Sequence, residues 1–237
     1  MTAARFANPV FVALDTPDLS HALELAAAVK GHVGGLKVGL EFISAQGPDG
    51  IGKIVALGLP VFADVKFHDI PNTVAGAARA IGETGADIFN VHASGGTAMM
   101  RAAAEAAARF HPRPKVIAVT VLTSLADADL ESVGQIGPAA GLVSRLAKLA
   151  KKSGLDGVVC SPQEIALVRE ACGAEFLIVT PGVRPAGAAL GDQRRVMTPD
   201  EAVRAGADIL VIGRPITGAA DPAAAARAIA DEIAAAR

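Results

Sequence analysis

Short apolar runs alternate with longer alanine- and leucine-rich segments along the whole chain. The short runs contain many β-branched residues and lie between turn residues, which is typical of buried strands in a parallel sheet. The longer segments have apolar residues at the spacing of an amphipathic helix. The pattern predicts strands at 9–14, 34–38, 61–66, 87–91, 115–121, 156–160, 176–180 and 208–212. It predicts helices at 18–30, 72–83, 97–109, 140–151, 162–171, 199–205 and 221–236.

This regular alternation predicts an α/β fold. Eight strand–helix units that close on themselves form a (β/α)8 TIM barrel, and an open doubly wound sheet is the alternative. A dinucleotide-binding sheet would carry Gly-x-Gly-x-x-Gly after its first strand, but Val12-Ala-Leu-Asp15 stands there, so the barrel is favoured. The triplets Gly85-Ala-Asp87 and Gly206-Ala-Asp208 precede strands four and eight, which indicates shared architecture rather than shared chemistry.

Length and composition favour one domain and exclude several classes of partner. The 237 residues contain no linker or low-complexity segment, so we expect a single TIM-barrel domain at residues 1–237. A formal net charge of −2 lacks the basic footprint of a nucleic-acid-binding protein. The apolar runs are far shorter than a membrane span and no signal peptide is recognisable, so no membrane partner is expected. Cys160 and Cys172 match neither a metal-binding pair nor a disulfide framework, which predicts a cytoplasmic location.

Charged and polar residues follow the predicted strands at their carboxyl ends, where TIM barrels assemble their active sites. Because these ends lie on one face of a barrel, we expect such residues to surround one site. They are Asp15, Lys37, Asp64, Lys66, Thr123, Ser124, Arg184, Gly213 and Arg214.

The segment from Asp64 to Thr73 (DVKFHDIPNT) is the most informative about chemistry. Strand alternation places Asp64 and Lys66 on the same side, and Asp69 follows in the loop. Nearby carboxylates favour the cationic form of Lys66, so this amine can donate a proton and is a poor nucleophile. An ordinary ion-pair cluster is the alternative. The presence of Lys37 and Asp15 at neighbouring strand ends makes a purely structural ion-pair cluster less plausible, because removing so many charges from water is costly unless their geometry compensates.

The loops after strands seven and eight predict a phosphate site. Phosphate often binds there in TIM barrels, and arginine offers paired donors that match its geometry. Arg184 and the pair Gly213-Arg214 fall at these positions, although a turn with a solvated arginine is the alternative for Gly-Arg. Residues 185–196 form a long connection, either a lid that brings Gln193 to the phosphate or a mobile surface loop.

The histidines do not predict a metal site. No pair of them has metal-ligand spacing, and Lys66 beside Asp64 opposes a divalent cation. We expect His68 to pack or orient its loop and His92 to be a near-core residue. Cys160 has no histidine base near it in sequence, so we assign it to the core.

Several motifs are spread over nearly the whole chain. The first is Asp64-x-Lys66-x-x-Asp69 followed by Ile70-Pro-Asn-Thr73. The others are Val12-Ala-Leu-Asp15, Leu36-Lys-Val-Gly39, Val119-Thr-Val-Leu-Thr-Ser124, Thr180-Pro-Gly-Val-Arg-Pro185, Gly191-Asp-Gln193 and Ile212-Gly-Arg-Pro215. Together they resemble the orotidine 5'-monophosphate decarboxylase family. The Asp-x-Lys-x-x-Asp part alone is shared with other barrel decarboxylases, and the combination is far more specific. The one variation is Arg194-Arg195 after Gln193, where a lysine is common.

The resemblance implies decarboxylation of orotidine 5'-monophosphate to UMP, the last step of de novo pyrimidine biosynthesis, with no cofactor and no metal. Lys66 would protonate C6 of the pyrimidine, and Asp64 would face the departing carboxylate. An alternating array of Lys37, Asp64, Lys66 and Asp69 would form the catalytic set. Asp69 and Thr73 would enter the neighbouring subunit's site, which implies a homodimer.

The resemblance also implies where each part of the substrate binds. Asp15 and Lys37 would hold the ribose, and Thr123 would contact the base. The phosphate would be held by Arg184, Gln193, Gly213 and Arg214. The whole implied binding set is Asp15, Lys37, Asp64, Ile70, Thr73, Thr123, Arg184, Gln193, Gly213 and Arg214.

Three other functions fit parts of the pattern. A keto-sugar phosphate decarboxylase or aldolase-like relative on the same barrel would use Mg²⁺ and carry an acidic residue where Lys37 stands. A Schiff-base aldolase would need a neutral amine at Lys66, which neighbouring carboxylates oppose. A barrel that only binds nucleotides would keep the phosphate residues and tolerate loss of Lys66.

Overall fold

Eight parallel strands form a closed barrel in chain order, with β8 paired to β1. The computed structural model describes residues 7–185 and 197–235. The predicted TIM barrel is confirmed, and each predicted strand is present with ends shifted by at most two residues. The strands are β1 (Val10–Ala13), β2 (Gly35–Val38), β3 (Val61–Phe67), β4 (Ile88–His92), β5 (Lys115–Val119), β6 (Gly157–Val159), β7 (Leu177–Pro181) and β8 (Ile209–Ile212).

Helices follow the strands and pack around the barrel. They are α1 (Leu19–Val29), α2 (Leu40–Val55), α3 (Pro71–Glu83), α4 (Gly96–Ala107), α5 (Asp127–Ser132), α6 (Ala139–Lys152), α7 (Ile165–Cys172), α8 (Pro199–Ala205), α9 (Arg214–Thr217) and α10 (Pro222–Ala235). The sequence pattern did not predict α2, because Gly47 (φ 63°) and Pro48 interrupt its helical period. None of the helices in the described ranges combines the length and the apolar character that a membrane span requires.

Alternate strand residues build two separate cores. One set fills the barrel interior and consists of Phe11, Phe62, Ile88, Ile117, Leu177, Val179 and Ile209. The residues between them, such as Val12, Leu36 and Phe89, pack outward against the helices. Because successive side chains of a strand point to opposite faces, the inward positions continue along each strand towards its carboxyl end. Those positions carry the polar residues of the barrel mouth.

Candidate active site

Four charged side chains meet at the carboxyl-terminal mouth of the barrel. Asp15 lies just beyond β1, Lys37 lies in β2, and Asp64 and Lys66 lie in β3. The Lys37 Nζ donates to Asp15 Oδ1 at 2.6 Å and lies 3.8 Å from Asp64 Oδ2. The Lys66 Nζ donates to Asp64 Oδ1 at 2.6 Å. These side chains form a continuous row, the charged row, in which negative and positive groups alternate.

The centre of the charged row is largely removed from solvent. The side chain of Lys37 is 8% exposed and that of Asp64 is 15% exposed, whereas Lys66 is 28% and Asp15 53% exposed. Removal of charged groups from water is costly, and apolar residues would often stabilise such a position at least as well. The charged row therefore indicates a chemical function for this end of the barrel.

Gly39, directly after β2, leaves room for the first ion pair. A Cβ atom at this position would lie 2.8 Å from the Lys37 Nζ and 3.1 Å from the Asp15 Oδ1. Its backbone conformation (φ −105°, ψ −172°) is open to other residues, so space rather than conformation favours glycine. The motif Leu36-Lys-Val-Gly39 contains this glycine, but the sequence alone gives no sign of its role.

Asn90 in β4 is a site residue that the sequence analysis missed. It is 1% exposed, its Nδ2 donates to Asp64 Oδ1 at 2.7 Å, and its Oδ1 accepts from the Lys66 backbone N–H at 2.7 Å. A signal for it does exist in the sequence. An amide inside an apolar strand must find hydrogen-bond partners when it is buried, and here those partners belong to the charged row.

A cavity of about 190 Å³ opens beside Asp64 and Lys66. Thr123 also lines it. Most of the wall is apolar and comes from strand ends and the loop after β5: Phe62, Val119, Val121, Leu122, Val159, Val179, Pro181 and Val211. An apolar cavity with a few converging polar groups is typical of a small-molecule site.

The predicted phosphate residues follow two neighbouring strands. Arg184, beyond β7, is 9% exposed, and its Nη1 donates to the Val183 carbonyl at 2.9 Å. Gly213 follows β8, and Arg214 is exposed at the start of α9. Because β7 and β8 pair side by side, both arginines emerge from the same part of the barrel mouth. Gln193 and nearly all of the predicted lid lie outside the described residues.

Asp69, Ile70 and Thr73 are exposed where β3 leads into α3. The Asp69 Oδ1 accepts a hydrogen bond from the Ile70 backbone N–H at 2.6 Å. Asp69 and Lys66 are both within the described ranges and do not form an ion pair with each other. Within one chain, the carboxylate beside the Lys66 amine is therefore Asp64, and the contribution of Asp69 to a neighbouring subunit's site stays a prediction.

The rings of His68 and His92 stack beside the charged row, with their centroids 5.4 Å apart and an interplanar angle of 29°. Burial lowers the pKa of His92 below its ordinary value, and the neighbouring His68 and Lys66 lower it further, while Asp64 acts in the opposite direction. A neutral His92 at pH 7 follows from that shift. The packing role predicted for His68 agrees with this stacking.

Both cysteines are free thiols in the core, as the sequence predicted for Cys160. Across residues 7–185 and 197–235, no three His, Cys, Asp or Glu side chains are grouped so as to hold a metal ion.

Comparison with known proteins finds relatives over nearly the whole chain. The family model of orotidine 5'-phosphate decarboxylase / HUMPS matches residues 8–229. The chain belongs to this family. Proteins named orotidine 5'-phosphate decarboxylase from Moorella thermoacetica and Rhodospirillum rubrum are 59% and 55% identical to it, over 95% of this chain and 92% and 94% of theirs. A crystal structure of orotidine 5'-phosphate decarboxylase from Lactobacillus acidophilus matches with a TM-score of 0.85 at 40% identity, covering 95% of this chain and 99% of that one.

Family membership confirms the resemblance drawn from the motifs. The role of each site residue stays a prediction, because these matches compare whole chains rather than single side chains. The single-domain organisation over residues 1–237 and the cytoplasmic location also stay predictions.

Proposed function

We propose that this protein decarboxylates orotidine 5'-monophosphate to UMP without a metal or a cofactor. The observation that carries the proposal is the Lys66 amine, held 2.6 Å from Asp64 beside an apolar cavity. Family membership and the names of the relatives support the same reaction.

Lys66 acts on the charge that develops in the reaction. When the bond between C6 and the carboxylate breaks, CO₂ leaves and the electron pair stays on C6, where no ring position delocalises it well. The Lys66 ammonium stabilises that pair as it forms and then transfers a proton to C6. The amine regains a proton from solvent after the product leaves. The apolar wall strengthens the electrostatic stabilisation, because it lowers the local dielectric around the two charges.

The order of residues around the barrel matches the order of groups in the substrate. Arg184, Gly213 and Arg214, together with Gln193, would bind the phosphate beyond β7 and β8. Asp15 and Lys37 would bind the ribose next to them, since β1 pairs with β8. A Cβ atom at Gly213 would lie 3.9 Å from Asp15 Oδ2, which shows how near the two groups of residues are. The base would then lie against the apolar wall with Thr123 at its edge.

A homodimer completes the proposed site. Asp69 and Thr73 would reach the partner's cavity, where Asp69 would supply the second carboxylate beside Lys66. The exposure of these residues in a single chain supports this arrangement, as does the 67% exposure of Ile70, a large apolar side chain between them. Ile70 itself is proposed to contact the substrate.

A keto-sugar phosphate decarboxylase is the second candidate function, because it shares the barrel and the Asp-x-Lys-x-x-Asp motif. It would require an acidic residue at the position of Lys37, which here is a nearly buried amine paired with Asp15. We expect full activity towards orotidine 5'-monophosphate in excess EDTA. Strict dependence on Mg²⁺ would favour this second function.

The deciding experiment follows the ultraviolet absorbance of orotidine 5'-monophosphate after addition of purified protein. The wild type should convert it to UMP, and Lys66→Ala should lose at least about 1000-fold in kcat because it lacks the proton donor. The matched control Lys53→Ala removes an exposed amine from α2 and should retain full activity. UMP binding to Lys66→Ala, measured by calorimetry, should survive.

Each alternative has a distinct outcome in this experiment. No turnover by the wild type would reject the proposed function. Unimpaired turnover by Lys66→Ala would reject the mechanism and leave Lys66 dispensable. A covalent adduct trapped by borohydride would indicate Schiff-base chemistry instead.

A further inference from the structure

We infer that Asn90 is a positioning residue, whose amide fixes both the Asp64 carboxylate and the backbone of Lys66 and so sets the location of the Lys66 ammonium. The inference rests on the proposed function for its catalytic consequence. Its geometric part stands on the hydrogen bonds and register of β3 and β4.

The pairing of β3 with β4 is irregular at the catalytic segment. The register is regular up to Ala63, which pairs with Phe89, and it resumes where Phe67 pairs with Val91. Residues 64–66 of β3 therefore lie opposite a single residue of β4. A bulge of this kind bends the strand, re-aims its side chains and removes the regular ladder partners of the extra residues.

Lys66 has an unfavourable backbone conformation within this bulge. Its φ of 52° is left-handed, and no other non-glycine residue in the described ranges has a positive φ. A residue with a Cβ atom adopts such a conformation only where its surroundings enforce it. The Asn90 Oδ1 takes the place of the missing ladder partner by accepting the Lys66 backbone N–H at 2.7 Å. That bond holds the backbone from which the Lys66 side chain extends.

The other end of the same amide holds the carboxylate. The Asn90 Nδ2 donates at 2.7 Å to the Asp64 oxygen that also accepts from the Lys66 Nζ. Asn90 thus acts on Lys66 twice, directly at its backbone and through Asp64 at its ammonium. Only a side chain with one donor and one acceptor at this spacing can make both bonds. At 1% exposure, Asn90 has little access to water that could replace either bond.

Two substitutions and one matched control test the inference. Asn90→Ala removes both bonds, and Asn90→Asp keeps an acceptor but loses the donor to Asp64. The control is Asn8→Ala, because Asn8 also uses both ends of its amide, in this case to bond two backbone groups: its Nδ2 donates to the His32 carbonyl and its Oδ1 accepts from the Val10 N–H. Asn8 precedes β1, at the opposite end of the barrel.

We expect both Asn90 variants to lose about 100-fold in kcat, since a misplaced catalytic group costs about that much. KM should stay within about threefold of wild type, because the phosphate residues are unchanged. Asn8→Ala should lose thermal stability comparably to Asn90→Ala but keep the wild-type kcat. A loss of kcat in the Asn90 variants but not in Asn8→Ala, at similar losses of thermal stability, distinguishes a positioning role from a purely structural one.

A crystal structure of Asn90→Ala provides a readout that needs no substrate. We expect the φ of Lys66 to leave the left-handed region or its Nζ to move away from Asp64. Wild-type kcat in a folded Asn90 variant, or a Lys66 that keeps both its φ and its ion pair, would overturn the inference. If Asn90→Ala does not fold, the kcat and the crystal structure of Asn90→Asp test the inference in the same way. Lack of turnover by the wild type would reject the proposed function alone and leave the structural readout decisive.

Discussion

The carboxylate of Asp208 accepts a hydrogen bond from the backbone N–H of Ile178 at 2.8 Å, and so ties the residue before β8 to the start of β7. The same bond recurs between two other strand pairs, from Val61 to Asp87 and from Val116 to Asp156. These bonds lie at the amino-terminal ends of the strands, opposite the charged row. The matching triplets before strands four and eight are therefore an architectural device, as their repetition in the sequence indicated.

Replacement of these aspartates should lower stability without lowering activity. Asp208 also accepts from Arg169 Nη2 at 2.8 Å, whereas Asp87 bonds to a backbone group. We expect Asp208→Ala to lower the free energy of unfolding by about 3 kcal/mol and Asp87→Ala by about 1–2 kcal/mol, since each leaves a partly buried donor unpaired. Urea unfolding followed by circular dichroism measures both. A larger loss for Asp87→Ala, or a reduced kcat in either folded variant, would contradict this assignment.

Gly39→Ala should reduce activity with little effect on stability. The added methyl group would meet the Lys37 Nζ at 2.8 Å, and that flexible side-chain end can move aside at small cost to folding. The moved amine would no longer hold Asp15 in place, so we expect kcat/KM to fall by about 10- to 100-fold.

Gly52→Ala is the matched control for this substitution. Gly52 lies in α2 with open space around its Cβ position, so alanine there should leave kcat/KM unchanged and stabilise the helix by up to about 1 kcal/mol. Equal activity of Gly39→Ala and wild type would show that the ion pair of Asp15 and Lys37 tolerates displacement.

The barrel and most of the charged row could be predicted because each rests on local pattern. β-branched runs set the strands, and strand ends of a barrel share one face, so Asp15, Lys37 and Asp64 had to converge once the fold was known. Simple alternation also predicted that Lys66 lies on the same side as Asp64, and the two side chains are paired.

The bulge that sets the backbone of Lys66 could not be predicted from the same pattern. It depends on the register between β3 and β4, which hydrophobic alternation does not specify at a polar strand end. The role of Asn90 depends on that register and was missed with it. The space required at Gly39 is likewise a property of three residues in contact, none of which signals it alone.

His92 should make the stability of the fold depend on pH below neutrality. Its lowered pKa means that the unfolded chain binds a proton more readily than the folded protein does. The contribution of His92 to stability is therefore fully present above the ordinary histidine pKa of 6.5. It decreases as the pH falls towards the lowered pKa of the folded protein. In urea unfolding between pH 7.5 and 5.5, His92→Gln should lose less stability than wild type, whereas the exposed control His21→Gln should follow wild type. If His92→Gln instead lost more stability than wild type over this pH range, that result would contradict a lowered pKa for His92.

Pairing of two inactive variants tests whether Asp69 acts across a subunit interface. If it does, a heterodimer of Lys66→Ala and Asp69→Asn contains one site with both defects and one site with neither. Random assembly makes about half of the dimers mixed, so co-expressed chains should recover about one quarter of wild-type activity. Purification through two different affinity tags isolates the mixed dimer, which should reach about half of wild-type activity.

The same experiment has an opposite outcome if Asp69 serves its own chain. Each site of the mixed dimer would then carry one defect, and no activity would return. In the single chain Asp69 is exposed and its Oδ1 bonds to the Ile70 N–H, while Lys66 pairs with Asp64. Recovery of activity would therefore assign the second carboxylate beside Lys66 to the partner. It would also explain why the charged row ends at Lys66 within one chain.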